Sequence, residues 1–378
     1  MSFRNSGVAP FHAVSINRLA HALARQGRDV IHMEVGQPSA GAPRLALEAA
    51  GRAMRSDRLG YWESGALRER IAAHYRGRYG VEVAPERVVL TPGASGALLL
   101  AFTVLLDPGS RVAVGRPGYP AYRNVLRALG MEPVELACGP ETRFQPTAAM
   151  VEALEPAPSA LIVASPANPT GTMLDRAQLT ALAAACRRRG ITLVSDEIYH
   201  GITYGAPAVS ALEIDPSAIV INSFSKYWCM TGWRLGWLIA PEALVEPMYT
   251  YSGNIFLTPS ALSQHAALAA MEADDELSQH LETYAENRRL VMSRFAELGL
   301  TDLAPADGAF YVYANVGHLT DDSLGFCKQL LEDTGVAFNT GLDFDPVEGQ
   351  RTIRISFAVS RVEVAEAISR FGAWLAAR

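Results

Sequence analysis

The chain has 378 residues, enough for two domains or for one large domain with a smaller companion. Hydrophobic residues make up 49% and charged residues 19%, which excludes wholesale disorder; a net charge of -6 with no long basic run argues against nucleic acid as a partner. Four scattered cysteines, with no Cys-x-x-Cys pair and no His-Glu-x-x-His, leave zinc and a disulfide framework unsupported and fit a reducing cytoplasm.

The longest mostly apolar run, Gly96 to Leu106, is too short to cross a bilayer, and the opening Met-Ser-Phe-Arg-Asn lacks the apolar core of a signal peptide. The expectation is a cytoplasmic protein with no membrane partner. A first helix is expected over Val14–Gln26. Short apolar strands are then expected at Arg87–Leu90, Arg111–Val114, Pro133–Leu136, Ala160–Ala164, Thr192–Asp196, Ala218–Asn222 and Leu235–Ala240. Between and after them, helical patterns cover Ser95–Leu106, Tyr119–Leu129, Arg176–Arg189 and Pro259–Met271, the first closed by Asp107-Pro-Gly109. Such alternation implies an α/β fold, a mostly parallel sheet covered by helices on both faces. After about Asp275 the texture changes: a long helix to about Leu298, a strand at Phe310–Ala314, a helix at Ser323–Thr334, a strand at Thr352–Phe357 and a last helix from Val362. The expected division is therefore a large domain over 44–274 and a smaller α+β domain built from 1–43 and 275–378.

In an open α/β sheet, ligands sit beyond the carboxyl ends of the strands. Several unusual residues fall there. Lys226, in Ser223-Phe-Ser225-Lys226, follows the apolar run Ala218–Ile221. A lysine in that position loses hydration, its pKa falls, and the neutral amine becomes the nucleophile that a Schiff base needs. Arg234 and Ser223 stand close enough in sequence to hold a phosphate beside it. Thr91-Pro-Gly93-Ala94-Ser95-Gly96 leads from a strand into a helix, as an ordinary tight turn or as a cup for an anion. Asn168 in Ser165-Pro-Ala-Asn168-Pro-Thr-Gly171 is either a turn residue or a side chain aimed by its flanking prolines. Asp196 ends a buried strand, where it is a helix cap or the partner of a cation. Tyr119 is a core anchor or a ring that stacks on a flat ligand, and Gly36 reads as a turn glycine. Arg354, between Ile353 and Ile355, sits in a structural ion pair or binds a carboxylate with its planar fork. Tyr61 reads as part of a surface aromatic cluster.

Taken in order, these motifs resemble the fold-type I pyridoxal-phosphate aminotransferases of the class I/II family, over about Ile31 to Ala358. The resemblance implies the aspartate aminotransferase-like fold and pyridoxal 5'-phosphate as cofactor. It makes Lys226 the Schiff-base residue and Asp196 the partner of the pyridine nitrogen. It makes Tyr199 and Asn168 hydrogen-bond partners of the ring O3′, and Tyr119 the aromatic against the ring. Gly93, Ala94, Ser95, Ser223, Ser225 and Arg234 would serve the phosphate, together with Tyr61 from the other subunit of a homodimer with shared sites. Gly36, Asn168 and Arg354 would hold the substrate carboxylate. The implied reaction moves the amino group of an L-amino acid, neutral or aromatic, to a 2-oxo acid. A β-eliminating lyase on the same lysine is the alternative, and a cofactor-sensing regulatory module is a third reading, for which the segment before the match is too short to carry a DNA-binding domain. Tyr119, Trp62, Tyr204 and Phe256 are candidates for an apolar substrate pocket. One segment departs from the family pattern: Asn339-Thr340-Gly341-Leu342-Asp343-Phe344 stands where Pro-Gly-x-x-Phe-Gly is usual.

Overall fold

A computed structural model describes residues 7–378. The strands, in chain order, are β1 (Ile31–His32), β2 (Val88–Thr91), β3 (Arg111–Arg116), β4 (Glu132–Ala137), β5 (Ala160–Ala164), β6 (Thr192–Asp196), β7 (Ile219–Ser223), β8 (Gly236–Ile239), β9 (Tyr311–Asn315), β10 (Val336–Ala337), β11 (Asn339–Thr340) and β12 (Thr352–Ser356). The helices are α1 (His12–Arg25), α2 (Arg44–Ser56), α3 (Gly65–Tyr79), α4 (Gly93–Leu105), α5 (Pro120–Ala128), α6 (Ala148–Glu152), α7 (Arg176–Arg188), α8 (Glu242–Ile255), α9 (Ala261–Ala270), α10 (Asp274–Glu297), α11 (Ser323–Thr334) and α12 (Arg361–Ala376).

Seven strands form the main sheet in the order β2-β8-β7-β6-β5-β3-β4. The pairs from β7 to β4 are parallel, and β8 runs antiparallel to both β2 and β7. Apart from β3 and the edge strand β4, its strands are buried almost throughout because helices cover both faces. α4 shows how such a helix is read from sequence: its apolar residues go all the way round, so it is buried against β7, β8 and α8. α7 starts at a full capping box, with Asp175 and Gln178 exchanging bonds to each other's backbone N–H groups.

A second region gathers β9, β11 and β12 into an antiparallel sheet, with β1 and β10 as a short parallel pair. Its core joins Ile16 and Ala20 of α1 to Phe295, Val312, Leu330 and Phe371. Among the described residues, no helix is long and apolar enough to cross a membrane. Elements beyond those expected are α2, α3, α6 and α8 and the two-residue strands β1, β10 and β11.

Candidate active site

The carboxyl ends of β2, β3, β5, β6 and β7 open on one cavity of about 360 Å³. Ala94 and Ser95 line it after β2, Tyr119 after β3, Asn168 after β5, Asp196 at the end of β6, and Ser225 and Lys226 after β7. Gly36, Tyr311 of β9 and Arg354 of β12 close it from the second region.

Lys226 donates from Nζ to the Gly36 carbonyl at 2.6 Å. Burial pulls its pKa down to about 8, with Arg354 and Arg234 adding to the fall and Asp196 opposing it. The amine is thus neutral in a useful fraction near neutral pH. Asp196 is almost fully buried; Oδ2 accepts from the Tyr122 hydroxyl at 2.7 Å and Oδ1 from the Ile198 N–H at 3.1 Å. Burial raises its pKa, against the pull of those hydrogen bonds and of Lys226. No side-chain cation forms an ion pair with it among the described residues.

Arg234 takes a left-handed backbone conformation at φ 54° and donates to the Thr231 carbonyl. Its guanidinium also has no carboxylate partner among the described residues. A Cβ at Gly93, itself at φ 73°, would lie 2.5 Å from its Nη2, so glycine lets the guanidinium rest against the start of α4 without being pushed aside. Ser225 and Ser95 stand beside it in the lining. Ser223 does not reach the lining: its fully buried Oγ lies 2.8 Å from the Ser225 Oγ and accepts from the Ser225 N–H, so it braces Ser225.

Arg354 is 3% exposed and lies between the rings of Tyr311 and Phe344, at 4.5 and 4.8 Å. It donates to Asn168 Oδ1 at 3.1 Å and to the Glu34 carbonyl at 2.6 Å, and its Nε has no partner among the described residues. A buried guanidinium with no anion beside it is a receptor for one. Of the two readings left open by the sequence, the structural ion pair is the one the geometry lacks.

These residues fit pyridoxal phosphate. A neutral amine suits its aldehyde, and an unpaired buried acid suits a protonated ring nitrogen. An unpaired arginine at a helix N-terminus with two serines suits its phosphate. The chain matches the family model "Aminotransferase class I and II" over residues 28–371. It is 47% identical over 377 residues to the valine–pyruvate aminotransferase of Mycobacterium tuberculosis, covering 98% of this chain and 97% of that protein. It is 32% identical to the aspartate/prephenate aminotransferase of Thermus thermophilus, covering 98% and 97%. A crystal structure of an aminotransferase from Mycobacterium tuberculosis superposes with a TM-score of 0.98 at 46% identity, covering all of both chains. The chain belongs to the class I and II aminotransferases. It is a pyridoxal-phosphate enzyme that moves amino groups to 2-oxo acids on the aspartate aminotransferase-like fold. The lyase alternative gains no support from these relatives.

Not every expected residue sits in the aminotransferase's cavity. Tyr199 lines it, and its hydroxyl lies 2.6 Å from that of Tyr311. Gly93 stays just behind the lining, against Arg234. Tyr61 is 83% exposed and away from it. Three of the aromatics proposed for an apolar pocket are corrected here, because each has another partner. Trp62 stacks on His265 at 4.8 Å, Tyr204 donates to the Ala309 carbonyl beneath Arg288, and Phe256 packs beside α4 and α8. The apolar wall comes instead from Phe11, Val14, Leu98 and Ile198. Sequence reasoning missed these, and missed Tyr122, Tyr311, Asn17 and Glu34. The buried tyrosines read as core. Among the described residues no cluster of His, Cys, Asp or Glu could hold a metal.

Proposed function

We propose that this aminotransferase takes neutral L-amino acids as donors, branched aliphatic ones among them, and pyruvate as an acceptor. The carrying observation is an inventory of charge in the cavity. Among the described residues its lining cations are Lys226, Arg234 and Arg354, and each has a role in holding the cofactor or the α-carboxylate. None is left for a side-chain carboxylate, and the remaining wall contains Phe11, Val14, Leu98 and Ile198. The name of the relative from Mycobacterium tuberculosis supports the same pair of substrates.

Pyridoxal phosphate, when bound, supplies an aldehyde carbon and a ring that accepts an electron pair. Arg354, with Asn168 and the backbone at Gly36, holds the α-carboxylate and so orients the α-hydrogen. Lys226 Nζ, as the neutral amine, would take that proton and pass it on. Asp196, fixed by Tyr122 and Ile198, would hold its carboxylate for the ring nitrogen, and Tyr119 would offer its ring to the cofactor's. Tyr199 would serve the ring oxygen, with Tyr311 steadying its hydroxyl.

The same reading makes the enzyme a cytoplasmic homodimer in which Tyr61 serves the partner's phosphate; its exposure in a single chain supports this. The division into 44–274 and 1–43 with 275–378 rests on the separate core around β9 and β12. The test is a visible spectrum of the holoenzyme during addition of single L-amino acids. L-Valine should convert the Schiff-base band to the amine form, and pyruvate should restore it. Conversion by aspartate with valine inert would reject the neutral-donor reading. Pyruvate and ammonia accumulating from a donor without any acceptor would return the lyase.

A further inference from the structure

The segment that departs from the family pattern has a physical task in this fold. α1 begins at His12, and the residue before it, Phe11, offers no side-chain cap. Its first N–H groups need acceptors from elsewhere. Asp343 supplies them across 330 residues of chain: Oδ1 accepts from the His12 N–H at 2.6 Å and Oδ2 from the Ala13 N–H at 2.8 Å. The carboxylate is 2% exposed and also receives Asn339 Nδ2 at 3.3 Å.

The turn that carries Asp343 is itself braced. Arg123 of α5 donates to the carbonyls of Asp343 and Phe344, and the Gly118 N–H donates to the Phe344 carbonyl at 3.0 Å. Arg116 pairs with Asp345 at 3.0 Å. Gly118 immediately precedes Tyr119, and the Phe344 ring lies on Arg354. One turn therefore ties the start of α1 to the loop of the ring-stacking tyrosine and to the carboxylate clamp. The first turns of α1 with Phe11 form one wall of the cavity, through Phe11, Ala13, Val14 and Asn17. Asn17 is tied further along, donating to Glu34 Oε1 at 2.8 Å.

We propose that Asp343 is a positioning residue that seats α1 as the side-chain wall of the substrate pocket, and so sets the KM of larger donors. It stands outside cofactor binding and proton transfer. The proposal rests on the reading that Phe11 and Val14 meet the substrate side chain. L-Alanine, too short to reach that wall, serves as the internal control.

The test compares holoenzyme carrying Asp343→Asn with wild type. Asparagine keeps the size but turns one acceptor into a donor facing an N–H. Expected are an unchanged Schiff-base spectrum and pyridoxal phosphate affinity, a KM for L-valine raised about fivefold, as for a lost cap, an unchanged KM for L-alanine, and faster amide exchange over residues 12–16. Equal rises for both donors, or weakened cofactor binding, would overturn the proposal. So would an unchanged KM for valine while α1 exchanges faster. If the asparagine variant does not fold, Asp343→Ser, which keeps one acceptor, is read in the same way. If wild type prefers aspartate, the neutral-donor reading falls, and the same comparison between that donor and alanine still decides the role of Asp343.

Discussion

Lys226 owes its chemistry to the loss of water around its amine and to two guanidiniums nearby. With a pKa of about 8, roughly a tenth of the amine is neutral at pH 7, against roughly one part in three thousand for an ordinary lysine. The sign follows directly: a base with a depressed pKa gains its nucleophilic form as pH rises through 8 and gains little more above it. Uptake of pyridoxal phosphate by cofactor-free enzyme should quicken about tenfold from pH 6 to 7 and level off above 8. Stopped-flow absorbance across that range checks this; a rate still climbing tenfold per unit at pH 9 would mean an ordinary lysine. Lys226, Asp196 and Arg354 were legible in the sequence for one reason. Each is a charge set against a buried strand, a placement that costs free energy unless a ligand or partner offsets it. Tyr122 and Tyr311 carry no such mark. A buried tyrosine is also a normal core residue, and only the fold shows that its hydroxyl meets Asp196 or Tyr199.

At the scale of elements, the proposed phosphate seat at the start of α4 depends on a close approach between backbones. β8 lies between β2 and β7, with Gly236 paired to Thr91 and Ser223. A Cβ on Gly236 would sit 2.8 Å from the Gly93 carbonyl carbon, 2.9 Å from the Ala94 nitrogen and 2.7 Å from the Asn222 oxygen. These are backbone atoms, which cannot swing aside as a flexible side chain does. Gly236→Ala should therefore push α4 from β8, costing about 1–3 kcal/mol of stability. It should also weaken pyridoxal phosphate binding by at least about tenfold, since the start of α4 carries Ser95. Thermal melts with a cofactor titration check both, and wild-type affinity in a destabilised variant would separate the packing from the phosphate seat. The strands at Ala160–Ala164 and Thr192–Asp196 match expectation at both ends, because parallel strands are unbroken apolar runs between turn signals. α3 escaped notice because its apolar residues do not gather on one side, and α8 because it contains Pro247. β1, β10 and β11 are two residues each, too short for any pattern to register.

One chain leaves much apolar surface bare at the scale of the whole molecule. Leu47 and Met54 of α2, Tyr251 and Ile255 of α8, and Leu257 are all exposed, as is Tyr61. Exposed apolar groups become informative where they are contiguous, and the proposed dimer would bring these together. A two-fold dimer would bury the same patch on both chains and bring each Tyr61 to the other chain's site. The idea makes a prediction that a self-contained site does not. Tyr61→Phe should weaken pyridoxal phosphate binding by about tenfold, the size of one hydrogen bond to a charged group. Lys226→Ala should show no Schiff-base band at all. A hybrid dimer of the two variants has one site with Lys226 from one chain and Tyr61 from the other, and one site with neither. Purified through separate tags, that hybrid should form one Schiff base per dimer at wild-type affinity, although neither parent dimer does. A hybrid that keeps the weakened affinity of the tyrosine variant would confine Tyr61 to its own chain. Monomers in sedimentation at assay concentration, with full activity, would remove the shared site altogether.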